Sequence, residues 1–201
     1  MKWILKVTLT LQFIAFANAA WAGGKRMATA EDVIRQLDLK PLPEEGGYYR
    51  ETYREADIAV PARSVGIDSP TNRVASTAIY YLLVPQSFSA LHRIKSDEIF
   101  HFYSGDPVEM IQIDALGNLT TYTLGANIFK GEIPQVVVPK GAWQALRLKP
   151  GGAWALMGTT VAPGFEFEDF EVGERQSMLN QFPQHRDAII KFSRGPNEKA
   201  H

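Results

Sequence analysis

The sequence predicts an all-β fold closed on itself as a barrel or sandwich, on three observations. Eight short runs between Ser76 and Val161 are rich in β-branched and aromatic residues. Turn signals stand between them: Pro85, Ser104-Gly105-Asp106, Leu116-Gly117-Asn118, Pro139-Lys140-Gly141 and Pro150-Gly151-Gly152. No helix-forming segment intervenes, which argues against parallel βαβ units.

The chain opens on an address. Met1–Lys6 is short and basic, Val7–Ala17 is mostly apolar, and Ala20-Trp21-Ala22 sets small residues three and one before a cut ahead of Gly23. That is the layout of a secretory signal. An uncleaved anchor is the alternative, but Thr8, Thr10, Gln12 and Asn18 interrupt a run shorter than the ~20 apolar residues a spanning helix needs. No cysteine follows, so a lipoprotein anchor is excluded. Residues 1–22 are therefore expected to be a signal peptide and 23–28 a flexible mature N-terminus. The protein is expected to be secreted or periplasmic, with no membrane attachment after cleavage.

Thr29-Ala30-Glu31-Asp32 suits the cap of a short helix reaching about Leu37, with Val33, Ile34 and Leu37 as its apolar stripe. Pro41 and Pro43 end it. Glu44–Tyr53 centres on Gly46-Gly47 and reads as a turn entering a strand, and Asp57–Asn72 as a loop. The eight strands are Ser76–Val84, Phe88–Ile94, Glu98–Ser104, Val108–Asp114, Leu119–Leu124, Gln135–Pro139, Gln144–Leu148 and Ala153–Val161. Gly173–Gln181 and His185–Phe192, parted by Pro183, read as two C-terminal helices. Residues 29–194 form one domain, and 195–201 a frayed, disordered tail.

Composition excludes several chemistries. With no cysteine among 201 residues, disulfides, thiolate zinc sites, iron–sulfur clusters and cysteine nucleophiles are ruled out. Lys2 and Lys6 are the charges of residues 1–22, so beyond them 19 basic residues face 22 acidic ones, a balance of −3. Such a chain offers no electrostatic footprint for nucleic acid or anionic lipid.

The densest group of polar candidates runs from Leu91 to Gly105. Alternate side chains of a strand share a face, so Phe88, Ala90, His92 and Ile94 point one way. Glu98, Phe100 and Phe102 share a face after the Lys95–Asp97 turn, and His101 points to the other.

This stretch resembles the first motif of the cupin superfamily. His92 stands for its first histidine, Glu98 for its glutamate and Gly105 for its glycine, while Ile94 replaces the second histidine. Pro139-Lys140-Gly141-Ala142-Trp143-Gln144 resembles the second motif with its histidine replaced by Gln144. A closer resemblance is to the uncharacterised cupin-5 branch, similar in fold to the dTDP-sugar epimerases. It rests on Glu45–Tyr53, Ser76–Leu83, His92–Glu98 and Val161–Glu171, an ordered set within residues 30–193. The resemblance implies a cupin jelly-roll barrel and a homodimer, and it implies no particular reaction.

On that reading His92 lines a lumen as ligand-facing group or base, the alternative being a core histidine bonded to Glu98. The epimerase-like version has His92 abstract a proton and Tyr81 return one. Tyr48, Arg50, Trp143 and Gln144 join His92 and Glu98 as ligand-binding candidates, with core packing the alternative for the aromatics and an ion pair to Arg93 or Arg50 for Glu98. His92, Glu98 and Gln144 are the metal-ligand candidates of a competing oxygenase or isomerase reading. They make a poor set for zinc or iron(II), so no cofactor is favoured over a divalent metal. The acidic Glu166, Glu168, Asp169 and Glu171 lack the spacing of a calcium loop and read as a solvated strand edge. The leading function is binding of a small polar or sugar-like molecule in the barrel. A purely structural, non-enzymatic protein is the competitor from another class.

Overall fold

The computed structural model describes residues 28–195 and Glu198, so the expected signal peptide and its cut lie outside the described residues. Helix α1 (Ala30–Leu37) starts where the sequence places a cap. The Thr29 hydroxyl accepts from the Asp32 N–H at 3.2 Å, and the Asp32 carboxylate accepts from the Thr29 N–H at 3.1 Å. These reciprocal bonds satisfy two otherwise orphaned backbone donors.

Strands β1 (Lys40–Pro41) and β2 (Tyr48–Arg54) flank the Gly46-Gly47 turn. The expected loop holds a short ladder of β3 (Ala59–Val60) with β4 (Arg73–Val74). The eight predicted strands follow: β5 (Thr77–Leu83), β6 (Ser89–Arg93), β7 (Asp97–Gly105), β8 (Val108–Ile113), β9 (Leu119–Leu124), β10 (Gln135–Val138), β11 (Trp143–Leu148) and β12 (Ala155–Ala162). Strand β13 (Glu171–Val172) leads into α2 (Arg175–Gln181) and α3 (Arg186–Phe192). Among the described residues no helix is long and apolar enough to cross a membrane.

Two antiparallel sheets face each other. One has the order β1-β2-β5-β12-β7-β10 and the other β13-β6-β11-β8-β9. Successive strands often belong to different sheets, which is the winding of a jelly roll.

The period of two then decides what each side chain meets. From β11, Leu146 enters the inter-sheet core with Tyr81, Phe100, Met110 and Met157. Its neighbours Trp143 and Ala145 turn outward and pack with Leu91, Ile111 and Ile113 beneath α2 and α3. Helix α1 covers part of the other sheet's outer face, setting Val33, Ile34 and Leu37 against Tyr48, Leu82 and Trp154. Both sheets thus carry apolar surface on two faces, and the interior is dry except at one end.

Candidate functional site

That end is built from five pieces of chain. Strand pairing sets His92 of β6 opposite Gln144 of β11. The start of β7 brings Glu98 from the facing sheet, and Thr159 comes from its neighbour β12. The fifth piece is the turn between β1 and β2, which supplies Glu45.

Glycine shapes that turn. Gly46 and Gly47 have φ of +99° and +76°, the left-handed region where side chains are disfavoured. A Cβ on Gly46 would collide with the Phe88 carbonyl oxygen. One on Gly47 would stand 2.9 Å from the Leu82 carbonyl oxygen and the Tyr81 hydroxyl. The turn can therefore lie flat on β5 and β6. Ser87 Oγ accepts from the Gly47 N–H at 2.7 Å. Arg194, beyond α3, donates to the carbonyls of Glu44, Glu45 and Phe88 at 2.7, 2.9 and 2.8 Å.

His92 is only 2% exposed. Its Nδ1 lies 2.7 Å from the Ala90 carbonyl oxygen. A carbonyl only accepts, so Nδ1 carries a proton, and in the neutral form of the ring the lone pair is on Nε2. Nε2 stands 3.9 Å from Glu45 Oε2, too far for a hydrogen bond. The ring lies against Phe170 with centroids 5.2 Å apart. Glu45 accepts from Ser89 Oγ through its other oxygen at 2.8 Å. Glu98 accepts from Gln144 Nε2 at 2.6 Å. Burial raises the Glu98 pKa above the ordinary glutamate value, the nearby His92 opposes the rise, and Glu45 adds to it. Gln144 Oε1 is buried without a hydrogen-bond partner.

These groups close the polar end of a cavity of about 380 Å³. Most of its wall is apolar: Leu42, Ile79, Ile94, Val161, Phe165 and Phe170. At the mouth Arg54 binds Glu51 at 2.9 Å and Glu166 at 2.8 Å.

The segment carrying Phe165, Phe167 and Phe170 is clamped from behind. Arg73 Nε and Nη2 donate to the two oxygens of Asp169 at 2.7 and 2.9 Å, and Nη2 also reaches Glu168 Oε1 at 2.5 Å. Lys95 Nζ stands 3.5 Å from Asp169. The Arg73 and Asp169 side chains are 0% and 2% exposed. This corrects the reading of the acidic run as a solvated edge at Asp169 alone, since the Glu166, Glu168 and Glu171 side chains are exposed. Asp169 is buried because an arginine 96 positions away in sequence neutralises it, while Glu166 pairs with Arg54 and Glu171 with Arg93.

The structure brings His92 and Glu98 together at the cavity and sets Gln144 behind Glu98. The other candidates lie elsewhere. Tyr81 is buried in the core, its hydroxyl donating to the Gly46 carbonyl at 2.9 Å, and burial raises its pKa well above that of a free phenol. Trp143 faces α2 and stacks under the Arg93 guanidinium at 4.5 Å. Tyr48 and Arg50 share the outer face of β2, with Arg50 over Tyr80. Neither alternative partner of Glu98 engages it, because Arg93 is bonded to Glu171 and Arg50 lies outside. His101 faces outward as expected, 3.2 Å from Thr160 Oγ1 and from Gln135 Nε2.

The donors do not fit a metal. Ile94 offers none, Gln144 turns its amide nitrogen toward Glu98, and the described residues hold no converging group of three His, Cys, Asp or Glu side chains. Zinc or iron(II) takes more imidazole and carboxylate than one histidine and one glutamate.

Sequence reasoning missed Glu45, Thr159 and the aromatic wall. Glu45 precedes the glycine pair that marks the turn, and Phe165, Phe167 and Phe170 lie in a segment singled out for its family resemblance, so both had a signal. Thr159 had none.

A profile described as cupin superfamily (DUF985), the cupin-5 family, matches residues 31–173. An uncharacterized protein of Saccharomyces cerevisiae is 31% identical over 132 residues, 62% of this chain and 66% of that protein, so the chain spans just under two thirds of that relative's length. A hypothetical protein from Leishmania major has a solved structure with 32% identity and a TM-score of 0.75, covering 84% of this chain and 100% of its own. A protein from Shewanella oneidensis has 35% identity and a TM-score of 0.73, covering 84% and 99%.

Proposed function

This chain belongs to the cupin-5 (DUF985) family of the cupin superfamily, and from that premise we propose that it binds a small molecule inside the barrel, with the ligand's polar end on His92. One observation carries the reading. With Nδ1 bonded to Ala90, Nε2 of His92 has no hydrogen-bond partner in the protein and stands in the wall of a cavity of about 380 Å³. An acceptor that no protein group uses, facing a cavity, is available to a ligand's donor. The size and mixed lining are those of a ligand site.

Binding is favoured over epimerase-like proton transfer because the hydroxyl cast as proton donor, that of Tyr81, is spent on Gly46. Resident metal forms no part of the proposal, and stoichiometric metal in elemental analysis of the purified protein would overturn that part. Export and homodimer formation complete the reading. Export rests on the sequence of residues 1–22, and N-terminal sequencing of the exported protein should begin at Gly23. The dimer rests on family resemblance, and light scattering that finds a strict monomer at micromolar concentration would remove it.

Native mass spectrometry of the purified protein tests the central claim. A co-purified small molecule should appear with the wild type and vanish with His92→Ala. Equal occupancy in both would refute the assignment of His92.

A further inference from the structure

The lining of the cavity narrows its ligand to a chemical class. Resting on the reading of the cavity as a ligand site, we propose that it selects a primary ammonium on an apolar body of about one ring, the ammonium seated between His92 and Glu45, with Glu98 also lining the cavity.

The polar end is made of acceptors. In its neutral form the His92 ring presents the Nε2 lone pair to the cavity, since Nδ1 carries its proton against Ala90. Glu45 has used one oxygen on Ser89 and holds Oε2 toward His92. Glu98 completes the wall, tied to Gln144 through one oxygen.

The spacing is also informative. Nε2 and Glu45 Oε2 stand 3.9 Å apart, too far to bond each other. A single nitrogen placed about 2.9 Å from each would bridge them. A hydroxyl brings one donor to such a gap, whereas an ammonium brings three, and bonds that couple it to carboxylates are charge-assisted.

Charge points the same way. The carboxylates of Glu44, Glu45, Glu51 and Glu98 line the cavity, against one arginine, Arg54. Arg54 is already bound to Glu51 and Glu166. Arg194 lies behind the turn, its guanidinium turned to three carbonyls, and Lys95 is turned to Asp169. An anionic ligand would meet like charge at the polar end and no free cation. A sugar would set its hydroxyls against Ile79, Ile94, Val161 and the phenylalanines, where nothing accepts or donates. Phe170 beside His92 also presents an aromatic ring, the surface a cation prefers to other apolar walls.

Thermal shift and calorimetric titration of the full mature protein with benzylamine, benzyl alcohol, benzoate and glucose test the class. Benzylamine should bind at least tenfold more tightly than benzyl alcohol, and benzoate and glucose should not bind. Glu45→Gln keeps the shape and the Ser89 bond, and it should cut benzylamine affinity at least tenfold more than it cuts benzyl alcohol affinity. Glu98→Gln is the second variant should the first fail to fold. Equal binding of benzylamine and benzyl alcohol, or a benzylamine affinity indifferent to both variants, would overturn the ammonium assignment and leave the ligand site standing. A co-purified molecule without a basic nitrogen would do the same. No binding of any probe, with an empty cavity in native mass spectra, would overturn both.

Discussion

Two buried polar clusters lie on either side of the Phe165–Phe170 segment, and they are finished to different degrees. Around Arg73 every group is matched: a fully buried guanidinium meets both oxygens of Asp169, one of Glu168 and the Thr71 hydroxyl. Around His92 the groups stay open. Nε2 and Glu45 Oε2 face each other unbonded, Gln144 Oε1 has no partner, and two carboxylates share one end of a cavity. Burial alone therefore says little about the purpose of a polar side chain. A satisfied cluster fixes a segment in place, and an unsatisfied one beside a void is kept for a partner.

The contrast predicts the order of mutational effects. Arg73→Ala should be the most damaging, because it strands the Asp169 carboxylate in the interior. A loss of about 3–5 kcal/mol is expected, seen as a fall in melting temperature of roughly 6–20 °C. A loss below about 1 kcal/mol would put the two clusters in one class. His92→Ala should cost less, about 1–2 kcal/mol, chiefly from orphaning the Ala90 carbonyl. It should also abolish ligand occupancy, which Arg73→Ala should weaken only through loosening of the aromatic wall. Chemical denaturation of the ligand-free variants separates the two.

Glu98→Gln should stabilise the ligand-free protein, and the sign comes from linkage. Burial raises the folded pKa of Glu98, so the folded protein holds a proton that the unfolded chain releases near the ordinary 4.5. The resulting stability is complete below 4.5 and is lost as pH rises through the raised folded value. The variant lacks this loss, so its advantage in melting temperature should grow from pH 4.5 toward neutrality. A constant difference across that range would contradict a Glu98 pKa raised by burial. Arg54→Ala should do least. Its pairs with Glu51 and Glu166 are exposed, and the stability change should stay within about 0.5 kcal/mol.

The strands were legible because turn residues and β-branched runs are local signals, and all eight appear within two residues of their expected ends. The site was legible only in part. His92 and Glu98 stand on inward positions of strands whose faces are set by alternation. The same rule argues against reading Trp143 and Gln144 into one lumen, because neighbours in a strand face opposite ways. Glu45 is a different case. Nothing local tells where a turn residue points until the surface beneath the turn is known. Asp169 looked solvated because its neutralising arginine lies 96 positions upstream.

Arg194 has a consequence for how the protein is made. Its guanidinium reaches the Glu44 and Glu45 carbonyls across 150 and 149 positions of sequence, and it lies past the stretch that the family profile matches. A chain synthesised from its N-terminus carries the Gly46-Gly47 turn well before the residue that secures it. Every strand of the barrel can pair before the polar end of the cavity has its final brace. The polar end of the cavity is thus braced only once synthesis has passed α3, and a ligand meets the braced seat only on a chain that includes Arg194.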